Sequence, residues 1–265
     1  MNKNSTKTYF VTNTKGGVGK TTFALHVLPV MAHKKGFNKI NYYQLDDNNN
    51  LTINSEAVEI KNYKITKTED VIDSIELDID LENEIVNIID IGGGNDTKDV
   101  LEYLKRNGDD FVNNITFFVP TDNDLQHTKN LTDTLELIQD TFKDAEIILV
   151  LNGVNDMNAY KEEFINIFGD EVYNIKSIVD IVDSKCNDMI MLKRDNIFQV
   201  MGFNQITLLD AYLDAKDVNS KAKELKKQYA LEYEKDNDMD AYQVKKRKLR
   251  FAKRVIDTVD EFKEI

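Results

Sequence analysis

Cysteine is almost absent from this 265-residue sequence. Cys186 stands alone, so no internal disulfide can form and the fold must rest on its core. Proline is nearly as scarce, with Pro29 and Pro120 the two examples, and no Pro/Gly/Ser-rich stretch reads as a linker. The expectation is one domain over residues 1–265, long enough to bury a full α/β sheet, with a helical C-terminal extension from about residue 204. No apolar run approaches the roughly 20 residues of a membrane span, and Met1 to Lys7 holds no apolar leader, so the chain reads as cytoplasmic. The three histidines, His26, His33 and His127, lack metal-ligand spacing and are expected to be packing or surface residues.

Positive charge is also in deficit. The formal net charge is −13, which on average disfavours a nucleic-acid partner because phosphates are repelled by an acidic surface. The average conceals an asymmetry. Residues 245–254 carry seven cations and no acid, leaving −20 on the rest of the chain. A basic block in an acidic protein points to an anionic partner for that segment.

What the chain does have is a succession of apolar strand-like runs separated by helical patterns. The runs are Tyr9 to Thr12, Ile40 to Leu45, Ile85 to Ile89, Ile115 to Val119 and Ile147 to Leu151, with short strands also expected around Val58 to Ile60. Amphipathic stretches at Thr21 to Lys35, Leu125 to Phe142 and Ala159 to Phe168 would cross over between them. The alternation predicts a doubly wound, mostly parallel α/β sheet of the P-loop NTPase type, with helices on both faces. Pro29 inside the first helix predicts a kink after Leu28. Asn48 to Asn50 and the polar stretch through Thr66 read as loop. From about Asn204 onward the chain reads as two or more charged helices, broken near Asp236-Asn237-Asp238.

At the end of the first run lies Lys15-Gly16-Gly17-Val18-Gly19-Lys20-Thr21-Thr22. Glycines let consecutive backbone N–H groups curl around phosphate oxygens while the following helix points its positive end at the same anion. Lys20 is placed for the β- and γ-phosphates, Thr21 supplies a hydroxyl for Mg²⁺, and Thr22 helps open the helix. The ordinary template asks for glycine where this chain has Thr14, and adds nothing like Lys15. The pattern resembles the deviant Walker A box of the ParA/MinD family of ATPases, over roughly residues 7 to 155.

That resemblance implies ATP and Mg²⁺ as ligands, with Lys15 reaching across a homodimer to the partner's nucleotide. It aligns the family's Asp-x-Asp-Pro with Gln44-Leu45-Asp46-Asp47, so the water-orienting aspartate maps to Asp46, with Asp47 in reserve. Asp90, after the third run, takes the Walker B place on the metal, followed by Gly92-Gly93-Gly94 where the family has Asp-Thr/Ala-Pro-Pro. Pro120 and Asn152 match its base-binding region, although an asparagine after a strand also serves as a turn residue. The lone cysteine argues against the related nitrogenase iron protein, which needs several thiolates.

At about 100° per residue, Val244, Leu249, Phe251, Ala252, Val255, Ile256 and Val259 form one apolar helix face, and Lys246, Arg247, Arg250, Lys253 and Arg254 lie opposite. Docked on the protein body, the helix would present its cations to DNA. With the apolar face free it would suit an anionic membrane, and paired internally, as Lys253 with Asp257, it would be a solvated surface. The expected function is therefore a ParA-type Mg-ATPase that dimerises on ATP, binds DNA non-specifically on the nucleoid and works with a centromere-binding, ParB-like protein. The alternatives are a MinD-like membrane-associated regulator or conjugation accessory ATPase, and a nucleotide-gated scaffold without hydrolysis.

Overall fold

The computed structural model describes residues 6–47, 52–81, 84–107 and 115–262; the Asn48 to Asn50 loop expectation lies outside them. Seven strands form one sheet: β1 (Lys7–Val11), β2 (Lys39–Leu45), β3 (Glu59–Tyr63), β4 (Ile85–Ile91), β5 (Ile115–Thr121), β6 (Glu146–Val154) and β7 (Asp188–Lys193). Their order is β3-β2-β4-β1-β5-β6-β7, and every pair is parallel. All five apolar runs are strands, and the weaker Val58 to Ile60 signal marks β3. β7 was not anticipated. It pairs on one side only, and its two ends are exposed, so it lacks the continuous apolar signature of the central strands.

Because successive side chains of a strand point to opposite faces, the sheet sorts its residues by parity. Tyr9, Val11, Tyr42 and Ile88 belong to one core, together with a π-helical turn (Phe23–Val27), which follows the short α1 (Lys20–Thr22), and α2 (Leu28–Lys34). Phe10, Tyr43 and Ile89 belong to the other, under α3 (Thr68–Asp80), α4 (Asn95–Asn107) and α5 (Thr128–Thr141). The Ala159 to Phe168 stretch is two one-turn helices, α6 (Tyr160–Glu163) and α7 (Ile165–Phe168), because buried Phe164 leaves helical geometry between them. A short α8 (Val179–Lys185) leads into β7.

The irregularity near Pro29 falls before the proline, not after Leu28. The helix widens into the π turn, and Pro29 then sits in the first turn of α2. Proline has no N–H to donate and its ring would press on the Leu25 carbonyl one turn back, so a wider turn relieves both problems.

The chain closes with α9 (Ile197–Asn204), α10 (Leu208–Ser220), α11 (Ala222–Asp236) and α12 (Met239–Asp260). The break at residues 236–238 has a local cause: Asn237 adopts φ 51°, and the Asp238 carboxylate accepts from Ala241 N–H at 2.9 Å to cap α12. α12 buries Ala252, Val255 and Val259 in the same core as β1 and α2, whereas α11 has no buried residue.

Candidate nucleotide site

A cavity of about 300 Å³ opens beyond the carboxyl ends of the central strands, between the loop after β1 and the ends of β2 and β4. The loop owes its curl to Gly17 (φ 84°) and Gly19 (φ 93°), a conformation costly for any residue with a Cβ. Gly19 is the N-cap of α1, so the free N–H groups of the helix face the cavity. Lys20 is 8 % exposed, and its Nζ donates to the carbonyls of Asn13 (3.1 Å) and Lys15 (2.9 Å), closing a ring around the loop. Burial pulls its pKa down, opposed by the charges of Asp90, Asp46 and Asp96.

Asp90 lies inside β4, paired in register with Gln44 of β2. One oxygen, Oδ2, accepts from Thr21 Oγ1 at 2.6 Å and from the Tyr42 hydroxyl at 2.8 Å. The other, Oδ1, is buried and has no hydrogen-bond partner among the described residues. Burial pushes the Asp90 carboxyl up to about 6, against the pull of Thr21, Tyr42 and Lys20. A buried, unpartnered carboxylate oxygen beside a threonine hydroxyl is a donor set that fits a hard divalent cation. Thr21 and Asp90 would hold Mg²⁺, whose role when bound is to neutralise phosphate charge. No cluster of three or more His, Cys, Asp or Glu suited to a metal occurs among the described residues, and none is required where phosphates complete the coordination.

The profile of the CobQ/CobB/MinD/ParA nucleotide binding domain matches residues 9–235. The chain belongs to that family. Its fold is similar to MinD cell division protein from Aquifex aeolicus, with a TM-score of 0.51 at 13 % identity over 79 % of this chain and 90 % of that one. It is also similar to the septum site-determining protein MinD complexed with Mg-ADP from Pyrococcus horikoshii, with a TM-score of 0.46 at 14 % identity over 76 % and 86 % of the two chains. No curated protein sequence matches.

For a CobQ/CobB/MinD/ParA domain, several further residues stand out. Asp46 lines the cavity, while the Asp47 carboxylate turns away to accept from Ile65 N–H at 3.0 Å. Gly16, Gly17, Thr21 and Thr22 line it as well, and Val18 is fully buried beneath the loop. Pro120 and Asn152 brace the loop from below: the Pro120 carbonyl accepts from Asn13 Nδ2 at 2.8 Å, and Asn152 Nδ2 donates to the Val18 carbonyl at 3.0 Å. Lys15 contributes its backbone to the ring, and its Nζ has no partner among the described residues. Gly93 lies flat on this loop; a Cβ there would sit 3.1 Å from Gly16 N. Gly94 N–H donates to the Thr14 carbonyl at 2.6 Å, so the triple-glycine segment is tied to the phosphate loop.

Sequence reasoning passed over Tyr42, Asn13, Thr97 and Asp96. Thr97 is fully buried and donates to the Gly92 carbonyl at 2.8 Å, anchoring the triple glycine to α4. Asp96 is held above the usual carboxylate range by burial and by Asp46 and Asp47. An apolar run hides Tyr42, because only the β2–β4 register brings its hydroxyl to Asp90. A threonine–asparagine–threonine stretch directly before Lys15 and the glycines was a visible signal for Asn13.

The five cations assigned to the C-terminal helix do not form one set. Lys246, Arg247, Arg250 and Lys253 are exposed on α12. Arg254 is instead paired with Asp195 and Asn196, which neutralises it. No ion pair joins Lys253 and Asp257 among the described residues, and Val244, placed on the apolar face, is 50 % exposed. The described residues include no helix long and apolar enough to cross a membrane.

Proposed function

We propose that this chain is a Mg²⁺-dependent ATPase of the ParA type, which dimerises on ATP, binds DNA without sequence preference and positions DNA cargo through a centromere-binding partner. The observation that carries the nucleotide part is the arrangement of Lys20, Thr21 and Asp90 around one cavity, with Asp90 Oδ1 left for a cation. Asp46, on the cavity wall, orients the attacking water. Lys15 supports the dimer reading, since its Nζ has no partner among the described residues and would be placed to reach a partner's phosphates. The docked apolar face of α12 supports DNA over membrane, because Val255 and Val259 are unavailable to lipid.

Lys15→Ala tests this reading. Monomer nucleotide binding should survive while ATP-dependent dimerisation, followed by light scattering, weakens; intact dimerisation with lost monomer binding would make Lys15 an ordinary loop cation. The second reading is the MinD-like membrane regulator. It draws on Phe203, 89 % exposed at the end of α9, and on the open apolar surface around Val244. Co-sedimentation with DNA and with anionic liposomes, each with and without ATP, separates the two.

A further inference from the structure

The helices α11 and α12 form an antiparallel hairpin, with the Tyr233 and Tyr242 rings in contact across its seam at 5.3 Å between centres. Such seams are usually apolar or laced by opposite charges. One cross-seam ion pair is present, Lys245 with Glu232 at 2.5 Å, at the edge of the hairpin. Beside it runs a groove of about 430 Å³ lined by Lys226 of α11 and Lys246, Arg250 and Lys253 of α12, with no acidic side chain among its described walls. Four like charges facing one concavity repel each other, and a ligand of opposite sign relieves that repulsion. In a chain of net charge −13, such a local reversal of sign marks where a polyanion would settle.

The groove has more than charge. Tyr229 and Tyr242 form part of its wall, and Lys246 Nζ lies 5.2 Å from the Tyr242 ring centre. Residues 246, 250 and 253 follow one another at helical spacing and cover about 10 Å along α12, longer than a single phosphate ion and suited to successive phosphates of a polymer. We infer that the α11–α12 groove is the site that grips a DNA phosphodiester backbone, and that Lys226, outside the basic run of the sequence, is one of the residues that bind it. This rests on the DNA-binding reading proposed above and adds to it the location and a second helix. Arg254, neutralised by Asp195, takes no part in gripping the DNA.

The test is fluorescence anisotropy of the full chain with ATP and Mg²⁺ on a short labelled duplex of arbitrary sequence, between roughly 50 and 200 mM salt. Lys226→Glu should weaken binding by about 10-fold or more, and Lys226→Gln should flatten the dependence of log K on log salt by about 0.9 for each phosphate that the variant no longer neutralises. DNA-free ATP turnover and the melting temperature should be unchanged, since Lys226 is exposed and remote from the nucleotide cavity. Arg254→Gln should bind DNA as the parent does. Unchanged binding by Lys226→Glu while Arg250→Glu abolishes it would overturn the groove and return the DNA to the outer face of α12, leaving the DNA-binding reading intact. Failure of the parent protein to bind duplex in any nucleotide state would remove that reading and the groove with it. Binding to anionic vesicles but not to DNA, abolished in Lys226→Glu, would also overturn the proposal.

Discussion

At the phosphate loop the key side chains are locked: Lys20 holds two carbonyls, Asp90 accepts twice on one oxygen, and Asn13 ties the loop to Pro120. At the α11–α12 hairpin the cations stand in solvent, and α11 buries nothing. Both regions present positive charge to an anion, yet one does so with backbone N–H groups and a buried ammonium, the other with flexible exposed side chains. The first is built to fix a small phosphate chain in one geometry, where preorganisation matters. On the reading proposed above, the second would attract a long polyanion, where summed charge matters more than position.

The largest expected effect lies on the locked side. Lys20→Ala removes the buried ammonium of the phosphate loop and should cut nucleotide affinity by about 100-fold or more, roughly 3 kcal/mol, in a fluorescent-nucleotide titration. Near-parental affinity would break the contrast, because the loop would then act through backbone alone.

His26 ties the helix after the phosphate loop to α10, the helix that precedes the hairpin. It lies in the π turn behind the phosphate loop, and its Nδ1 accepts from the Leu208 N–H at the start of α10 at 3.3 Å. Burial lowers its pKa from 6.5 to about 4. A histidine kept neutral in the folded state binds its proton earlier when unfolded, so its contribution is intact above about pH 6.5 and is lost as pH falls toward 4. The full loss would be about 3 kcal/mol. Urea midpoints across that window should fall for the parent and fall less for His26→Gln, which keeps an acceptor without a titrating ring. Parallel curves would show that the junction is not pH-sensitive.

Tyr42→Phe sharpens the comparison from within the buried site. It deletes one of two donors to Asp90 Oδ2 without changing the packing volume, so the carboxylate loses orientation. The Mg²⁺ concentration that supports tight nucleotide binding should rise by about 10-fold, or ~1.4 kcal/mol, with metal-free nucleotide binding little changed. An unchanged Mg²⁺ requirement would reduce Tyr42 to a core residue. The smallest effect belongs to the exposed side. Breaking the partly exposed Arg254–Asp195 pair with Arg254→Gln should cost about 1 kcal/mol or less in denaturant titration. A larger loss would mean that α12 is held to the body by this pair and not by Val255 and Val259.

The central strands were legible because each is buried on both faces and reads as a nearly continuous apolar run, as in Ile85-Val86-Asn87-Ile88-Ile89. The edge strand β7 was not, since Asp188-Met189-Ile190-Met191-Leu192-Lys193 is buried on one side only. The helices α3 and α4 were missed for a related reason. Their apolar stripes are narrow against many acids, as in Thr68-Glu69-Asp70-Val71-Ile72-Asp73. In the site, Lys20, Thr21 and Asp90 were visible as a motif, whereas Arg254 could not be told from its neighbours because its partner Asp195 lies 59 residues away.

The sequence by itself determined the phosphate loop, the break before α12 and the parity of each central strand, because glycine φ, capping and side-chain alternation are decided within a few residues of chain. Tertiary structure alone decided which of Asp46 and Asp47 faces the cavity, that Tyr42 holds the Asp90 carboxylate, and that Lys226 joins the α12 cations. Those depend on strand order, register and helix packing, which join residues 48 positions apart in the case of Tyr42 and Asp90. No local pattern carries information about a neighbour that distant, since its approach is set by the burial of the whole sheet.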